Sequence, residues 1–280
     1  MSASSISAVP ATGAGLDPDL AVELIATAHA LADAARAETL RHFRQAGLQA
    51  DNKATGHFDP VTVADRASEA AMRAILARRR PMDAILGEEE AAKDGTSGLT
   101  WVLDPIDGTR GFMTGTPVWG VLVGLRDRHR ALYGIIDQPH IGERFEGGFG
   151  RALLTGPRGT MPLAGSARGL SEGRLFTTFP EIGTEADREA FRRVAGQVRL
   201  VRYGLDCYAY ALLALGQVDL VIEAGLQSYD VLAPIAVIEA AGGIVTDWEG
   251  RPALEGGRVL AAANPVLHRA ALDLLGGAGG

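Results

Sequence analysis

The sequence predicts a layered α/β or α+β sandwich, because its two halves show different patterns of helices and strands. Two long helices open the first half and strands follow in quick succession, which favours an antiparallel sheet. From about residue 174, strands and helices alternate instead. The 280 residues are 47% hydrophobic, which suits one large domain or two closely packed ones.

Two helices are predicted at the start of the first half. The first opens at Asp17, carries an apolar stripe and stops at Gly47. Thr62 caps the second, which runs to about Arg80, because a proline follows. The remaining predicted elements are a buried strand at 84–87, a polar loop at 93–98, and strands at 100–104, 118–126, 131–137 and 143–149.

A Gly/Pro-rich stretch at 156–169 is interpreted as the junction between the halves. The halves are placed at 17–165 and 166–275, with flexible tails at 1–16 and 276–280. In the second half we expect strands at 174–178, 198–203, 218–222, 243–247 and 258–263, and helices near 184–195, 206–215, 230–241 and 265–275.

Composition excludes several classes of protein. With 27 basic and 34 acidic residues, the net charge of −7 argues against nonspecific nucleic-acid binding. Cys207 is the only cysteine, so neither an intrachain disulfide nor a cysteine-based zinc site is possible. No apolar run approaches the ~20 residues of a membrane span. The start of the chain lacks the features of a signal peptide, and we expect a cytoplasmic protein with no membrane partner.

The most informative stretch is 101–109, where an apolar run ends in Asp104 and Asp107. Pro105 stiffens the turn between them and Gly108 permits a tight reversal, so both carboxylates can point at one place. Carboxylates so close repel unless a proton or a cation joins them, and a hard cation such as Mg²⁺ is the natural partner. The alternative is an ordinary Asx turn.

Three other segments place carboxylates at the ends of apolar runs. Glu88 and Glu89 follow the strand 84–87, although such a run is also typical of a solvated loop. Asp65 is in the first turn of the second helix, where it could simply complete a capping box with Thr62. Asp230 opens the helix 230–241 and could be its N-cap. An all-oxygen set favours Mg²⁺, Ca²⁺ or Mn²⁺ over zinc.

These segments resemble the motifs of the inositol monophosphatase-like phosphatases. The similar elements are Asp-Pro-Ile-Asp-Gly-Thr at 104–109, Gly-Glu-Glu at 87–89, the segment 59–65, and Tyr229-Asp230 followed by Glu-Ala-Ala-Gly-Gly at 239–243. Tyr229 replaces the family's tryptophan. The motifs occur in the family's order over about 20–275. The resemblance implies the αβαβα sandwich of inositol monophosphatase and fructose-1,6-bisphosphatase, an α+β fold.

Within this family, the chain looks most like the bacterial histidinol-phosphatases. The segments that suggest this are 103–112, 137–139 and 202–210, with departures at Gly111 and Leu205. The resemblance implies hydrolysis of a small phosphate monoester, histidinol phosphate, in histidine biosynthesis, and a homodimer.

The resemblance also implies a set of metal ligands. One cation would be held by Glu88, Asp104 and the Ile106 carbonyl. A second would be held by Asp104, Asp107 and Asp230. Two or three Mg²⁺ ions are expected in each site, with Mn²⁺ as a possible substitute. Such cations clamp phosphate oxygens, activate water and stabilise the leaving alkoxide.

The remaining roles that the resemblance implies concern water, phosphate and the alcohol. Thr109 and Asp65 would orient the attacking water, and with Glu88 they form the expected catalytic set. The N–H groups of Gly108 and Thr109 would hold phosphate oxygens. The expected residues on the alcohol side are Asp206, Glu223, Arg202 and Arg110. A carboxylate at 206 suits an ammonium group, although Asp206 could also be a helix N-cap.

Two alternatives stay open. The chain could act on inositol phosphate, fructose bisphosphate or an adenosine bisphosphate, or it could be an inactive homologue that binds or regulates. All the inferred ligands are present, which speaks against an inactive homologue. The motifs of P-loop nucleotide enzymes and of Gly-x-Ser-x-Gly hydrolases do not occur.

Overall fold

Helices and sheets alternate in five layers. The computed structural model describes residues 17–47, 50–52 and 60–277. Its first half contains α1 (Pro18–His42), β1 (Ala50–Asn52), β2 (Pro60–Thr62), α2 (Val63–Arg79), β3 (Ala84–Gly87), β4 (Thr100–Asp107), α3 (Thr109–Met113), β5 (Gly120–Arg126), β6 (Ala131–Gln138), β7 (Glu143–Gly148), β8 (Arg151–Gly156) and β9 (Gly159–Pro162).

The second half alternates strands and helices, as the sequence predicts. A 3₁₀ turn at Leu170–Glu172 precedes it. Its elements are β10 (Arg174–Thr177), α4 (Glu185–Ala195), β11 (Leu200–Tyr203), α5 (Cys207–Ala214), β12 (Leu220–Leu226), α6 (Ser228–Ala240), β13 (Ile244–Asp247), β14 (Gly257–Ala262) and α7 (Pro265–Leu275).

Within the described ranges the strands form two large sheets and one small one. The first large sheet has the order β3-β4-β5-β6-β7-β8-β9, and only the β3–β4 pair is parallel. The second has the order β11-β10-β12-β14-β13, with parallel β10–β11 and β10–β12 pairs. β1 and β2 form a separate antiparallel pair. No helix in the described part of the chain is long and apolar enough to cross a membrane.

Three large apolar cores join the five layers, and the middle core spans both sides of the layer that α5 and α6 form. Successive strand residues face opposite sides of a sheet, so Val121 and Val123 pack under α1 and α2, whereas Leu122 packs on the other side with α5 and α6. The same middle core takes Val221 from the second sheet. Leu220 faces the outer core, which α4 and α7 cover. The α+β layered sandwich predicted from the sequence is therefore confirmed.

Close approach of α6 to the first sheet depends on glycines. A Cβ on Gly134 would lie 2.4 Å from the Ala233 carbonyl oxygen, and one on Gly147 would lie 2.5 Å from the Val237 Cα. Neither position can hold a side chain without moving the helix. The glycines of β6 and β7 thus set how closely α6, which carries Asp230, packs on the sheet.

The structure differs from the sequence predictions at several element ends. α1 ends at His42 rather than Gly47, because extended Phe43 turns its ring onto Phe112 and Trp119. Part of the predicted junction 156–169 is strand, because β9 spans Gly159–Pro162 and pairs with β8 in a hairpin. Gly276 and Gly277, predicted as tail, close α7 through N–H bonds to the Leu272 and Leu274 carbonyls. The predicted tails at 1–16 and 278–280, and residue 59 of the third motif, lie outside the described residues.

Candidate active site

A bulge at the end of β4 brings two aspartates together. Residues 104 and 107 are three apart, and in a regular strand they would face opposite sides of the sheet. The register shifts between them, because Asp104 pairs with Leu122 and Asp107 with Gly120. The extra residue turns both carboxylates toward one place. Oδ1 of Asp104 also accepts the Ile106 N–H at 3.0 Å, so the Asx-turn interpretation is correct as well.

Asp230 joins this pair from the second half of the chain. Carboxylate oxygens of Asp104, Asp107 and Asp230 all lie within 4.8 Å of one another, and we call these three residues the acidic cluster. Asp230 is not the helix N-cap that the sequence allowed. Gln227 holds that position, and Asp230 accepts its N–H at 2.6 Å as the third residue of α6.

Glu88 approaches the acidic cluster from the neighbouring strand. β3 and β4 are parallel with Gly87 opposite Leu103, and the Glu88 N–H donates to the Leu103 carbonyl at 3.2 Å. Glu88 forms a hydrogen bond with Asp104, and the charge of Glu88 acts on the same carboxylate. Glu88 is half-buried, so the alternative of a fully solvated acidic loop is wrong for this residue.

The electrostatics of the acidic cluster are unfavourable without a cation. Burial raises the pKa of Asp104 well above its usual range, and the charges of Glu88, Asp107 and Asp230 raise it further. Burial and then the charges of Asp206 and Asp230 raise the pKa of Asp107, although the Cys207 N–H opposes this shift from 2.5 Å. A divalent cation bound by carboxylate oxygens would remove this repulsion, so the donor set fits Mg²⁺.

Thr109 and Asp65 lie beside the acidic cluster. The Thr109 hydroxyl is 3.4 Å from Oδ1 of Asp65 and 3.1 Å from the Ile106 carbonyl oxygen. Asp65 is fully buried, and its Oδ2 accepts the N–H and the hydroxyl of Thr62 at 2.9 and 2.6 Å. The capping box therefore exists and leaves the second carboxylate oxygen for Thr109.

Gly108 links the acidic cluster to the opposite wall. Its φ of +86° is a conformation that glycine adopts without strain, and a Cβ there would lie 3.0 to 3.1 Å from side-chain atoms of Asp206. Gly108 precedes α3, whose first N–H groups, including that of Thr109, have no partner within the helix and can donate hydrogen bonds to an anion.

The predicted alcohol-side residues lie in different surroundings. Asp206 holds the N-cap position of α5, as the alternative had it, but its side chain makes no capping hydrogen bond. Burial raises its pKa to about 6, against an opposing effect of Arg110. Glu223 accepts bonds from Thr177 and Thr178, while burial raises its pKa to about 7.

The two predicted arginines differ in position. Arg110 lies over the ring of Phe179, with 5.1 Å from its guanidinium carbon to the ring centre, and its charge reaches Asp206. Arg202 is exposed on the edge strand β11. The structure thus brings Arg110, but not Arg202, into electrostatic contact with Asp206.

Sequence reasoning missed the amide of Cys207. This N–H donates to Oδ2 of Asp107 across 100 positions of the chain. It is a backbone group, so no residue type could have revealed it.

Comparison with known proteins assigns the family. The family model described as "Inositol monophosphatase family" matches residues 21–277. The chain is 41% identical over 261 residues to the chloroplastic bifunctional phosphatase IMPL2 of Arabidopsis thaliana, covering 89% of this chain and 74% of that protein. It is 33% identical to a histidinol-phosphatase of Streptomyces coelicolor, covering 89% and 95%.

A solved structure agrees with the family model. An inositol monophosphatase from Zymomonas mobilis superposes with a TM-score of 0.80 at 39% identity, covering 91% of this chain and 98% of that one. Enzymes of this family hydrolyse small phosphate monoesters and depend on metal ions, typically Mg²⁺. With its acidic cluster at the expected motif, this chain belongs to the inositol monophosphatase family of phosphatases.

Proposed function

We propose that this chain hydrolyses L-histidinol phosphate to L-histidinol and phosphate by direct attack of water. The ligands proposed for Mg²⁺ are Glu88, Asp104, Asp107, Asp230 and the carbonyl of Ile106. When bound, two or three such ions would polarise the phosphate, lower the pKa of a bound water and stabilise the leaving alkoxide. The observation that carries the proposal is the acidic cluster, whose carboxylates repel one another until a cation joins them.

Side chains next to the acidic cluster would prepare the attack. If Thr109 donates its proton to Asp65, its oxygen can accept a hydrogen bond from water and turn a water lone pair toward phosphorus. The N–H groups of Gly108 and Thr109 would hold phosphate oxygens. Thr109→Ala should therefore lower kcat more than metal affinity, whereas Thr109→Ser should keep most of the activity.

The proposed preference for histidinol phosphate depends on Asp206. This partly buried carboxylate lies beside Gly108, where an added Cβ would come within 3.1 Å of it, and the ammonium group of a substrate at the proposed phosphate site could reach it. Arg110 partly neutralises Asp206, so the ammonium would share the carboxylate with a guanidinium. Similarity to the Streptomyces histidinol-phosphatase supports the same substrate.

A second candidate is inositol 1-phosphate. Similarity to the Zymomonas structure, and to an inositol-1-monophosphatase of Mesorhizobium japonicum at 32% identity, favours it. Phosphate release should be compared for the two substrates with Mg²⁺ and after exhaustive chelation. We expect the larger kcat/KM with histidinol phosphate, and no phosphate release from either substrate after chelation. A preference for inositol 1-phosphate would refute the substrate proposal, and full activity without divalent cations would refute the metal proposal.

Asp206→Asn tests the role of the carboxylate directly. A hydrogen bond to a charged group contributes roughly 1.5–3 kcal/mol, which corresponds to about a tenfold to hundredfold loss of kcat/KM. Histidinol phosphate should show this loss, whereas p-nitrophenyl phosphate, which has no ammonium, should react almost normally. Asp273→Asn, an exposed change on α7, is the matched control. An equal loss for both substrates would assign Asp206 to the fold or the metal site.

The family resemblance also supports a homodimer as the assembly. Light scattering of the purified chain would test this proposal, and a monomer at micromolar concentration would contradict it.

A further inference from the structure

Glu69 is a fully buried carboxylate that the proposed mechanism does not use. It lies on α2, one turn after Asp65. Its two oxygens accept successive backbone N–H groups of the loop after β3, from Glu89 at 2.8 Å and from Glu90 at 3.1 Å. One side chain of the helix thus holds a short backbone segment through two hydrogen bonds with a charged acceptor, which are stronger than neutral ones.

Glu69 also contacts the start of this loop. A Cβ on Gly87 would lie 2.0 Å from Oε1 of Glu69, so the carboxylate fills the space beside the glycine. Arg73 supplies the counter-charge, since its Nε donates to the same Oε1 at 2.8 Å. Nη2 of Arg73 donates to the Glu90 carbonyl at 3.0 Å and holds the far end of the loop.

Glu88 therefore lies between two points that Glu69 fixes. Gly87, before it, packs on the carboxylate, and Glu89, after it, donates to the carboxylate. Residues four apart on a helix share a face, so α2 directs Asp65 toward Thr109 and Glu69 toward the loop of Glu88. The helix sets the distance between the proposed water-orienting pair and one proposed metal ligand.

We propose that Glu69 is a positioning residue that holds Glu88 in place for a divalent cation. This inference rests on the metal site of the proposed function and not on its substrate. Groups that orient metal ligands typically change metal affinity by 10- to 100-fold when they are mutated. Glu69 would act in this way through the backbone of Glu88.

Glu69→Gln is the first test, because it keeps the shape and places an amide NH₂ where a carboxylate oxygen accepts an N–H. Mg²⁺ or Mn²⁺ binding is measured by titration calorimetry without substrate. We expect the dissociation constant to rise about 10-fold or more. At saturating Mg²⁺, kcat should stay within about threefold of the wild type, because the ligands themselves are unchanged.

Glu90→Gln is the matched control. It removes the charge that lies 3.6 Å from Arg73 but leaves the backbone N–H that Glu69 binds. Its metal affinity should equal that of the wild type. An equal loss of affinity in Glu90→Gln and Glu69→Gln would overturn the inference, because general electrostatics would then explain both.

Arg73→Met is the second variant, and it decides the question if Glu69→Gln does not fold. It leaves the carboxylate in place and removes the counter-charge and the bond to the Glu90 carbonyl, so a smaller loss of metal affinity is expected. A lower Tm with unchanged metal affinity in the folded variants would show a purely structural role and overturn the inference. If the metal site of the proposed function is itself wrong, the wild type will bind no Mg²⁺, and this result distinguishes that failure from failure of the inference about Glu69.

Discussion

Two buried acidic regions border the same sheet and differ in their counter-charges. In the acidic cluster, the charged groups that act on Asp104 and Asp107 most strongly are other carboxylates. The second region, between α1 and strands β6–β8, surrounds two carboxylates with basic groups. We call it the paired network, and its members are Asp137, Glu146, Arg36, Arg144, Arg151 and His29.

The paired network is satisfied by the chain itself. Asp137 is fully buried and binds Arg36 through two bonds of 2.6 and 3.0 Å and Arg144 through one of 2.7 Å. Burial alone would raise the pKa of Glu146, but hydrogen bonds from its neighbours outweigh it and lower the pKa to about 2. The donors are His29, Arg151 and Tyr133.

This difference in counter-charges gives the paired network a structural role and makes the acidic cluster suited to binding a cation. Buried carboxylates with fixed partners tie α1 to the sheet, and removing one partner leaves an uncompensated charge. Buried carboxylates that face one another destabilise the fold until a cation binds. The repulsion therefore lowers the stability of the fold at the acidic cluster, where we propose that the cations bind, whereas each carboxylate of the paired network has basic partners of its own.

The largest expected effect is that of Asp107→Asn on turnover. It removes a charge without changing shape, and several kcal/mol of transition-state stabilisation would be lost, which is roughly three orders of magnitude in kcat. The metal-free variant should be at least as stable as the wild type, because it relieves repulsion. Steady-state kinetics and thermal unfolding measure both effects. Near wild-type turnover would refute the assignment of Asp107.

Asp137→Asn should show the opposite pattern. The variant leaves Arg36 and Arg144 without their shared carboxylate, and we expect a loss of about 3 kcal/mol, the lower end for a broken buried pair, because Arg36 is partly exposed. Urea unfolding measures the loss. Turnover of the folded fraction should remain close to normal. A stable but inactive variant would place Asp137 in the site and remove the contrast.

Two carboxylates near the acidic cluster, Asp206 and Glu223, and the Glu146 carboxylate of the paired network should respond to pH in opposite directions. Asp206 and Glu223 have pKa values raised from 3.8 and 4.5 to about 6 and about 7, so the folded state retains these protons longer than the unfolded state. Metal-free stability should therefore fall as pH rises from about 4 to 7. The pKa of Glu146 is lowered from 4.5 to about 2, so its contribution to the free energy of unfolding is complete above pH 4.5 and is lost as the pH falls through 2.

Thermal unfolding across pH, with and without Mg²⁺, tests this contrast. The Tm increase caused by Mg²⁺ should be small at pH 5 and large at pH 8, because the cation favours ionised carboxylates. Glu223→Gln should flatten the metal-free decline. A Tm increase independent of pH would contradict the prediction.

The smallest effects are expected from two tyrosines. Tyr133 donates its hydroxyl to Glu146, so Tyr133→Phe should cost about 1.5 kcal/mol. Among the described residues, the buried Tyr210 hydroxyl has no hydrogen-bond partner, and Tyr210→Phe should stabilise the metal-free protein by about 1 kcal/mol. The free energies of unfolding of both variants, measured with denaturant, test these two expectations. Equal destabilisation would mean that Tyr210 is also paired.

Much of the fold could be predicted because it depends on local patterns. Apolar periodicity and helix caps such as Thr62 located the elements, since caps and side-chain spacing are local. Boundaries failed where distant contacts decided them. Phe43 ends α1 because of Phe112 and Trp119, which lie about 70 positions away in the chain.

The sequence by itself determined the chemistry of the site. Its carboxylate motifs indicated the family and the all-oxygen character of the expected ligands. Only the tertiary structure decided how these groups meet: the bulge that turns Asp104 and Asp107 to one side, the bond from the Cys207 amide to Asp107, and the carboxylate of Glu69 behind the Glu88 loop. Residue types carry chemical character, whereas contacts between distant segments depend on packing, which no local pattern encodes.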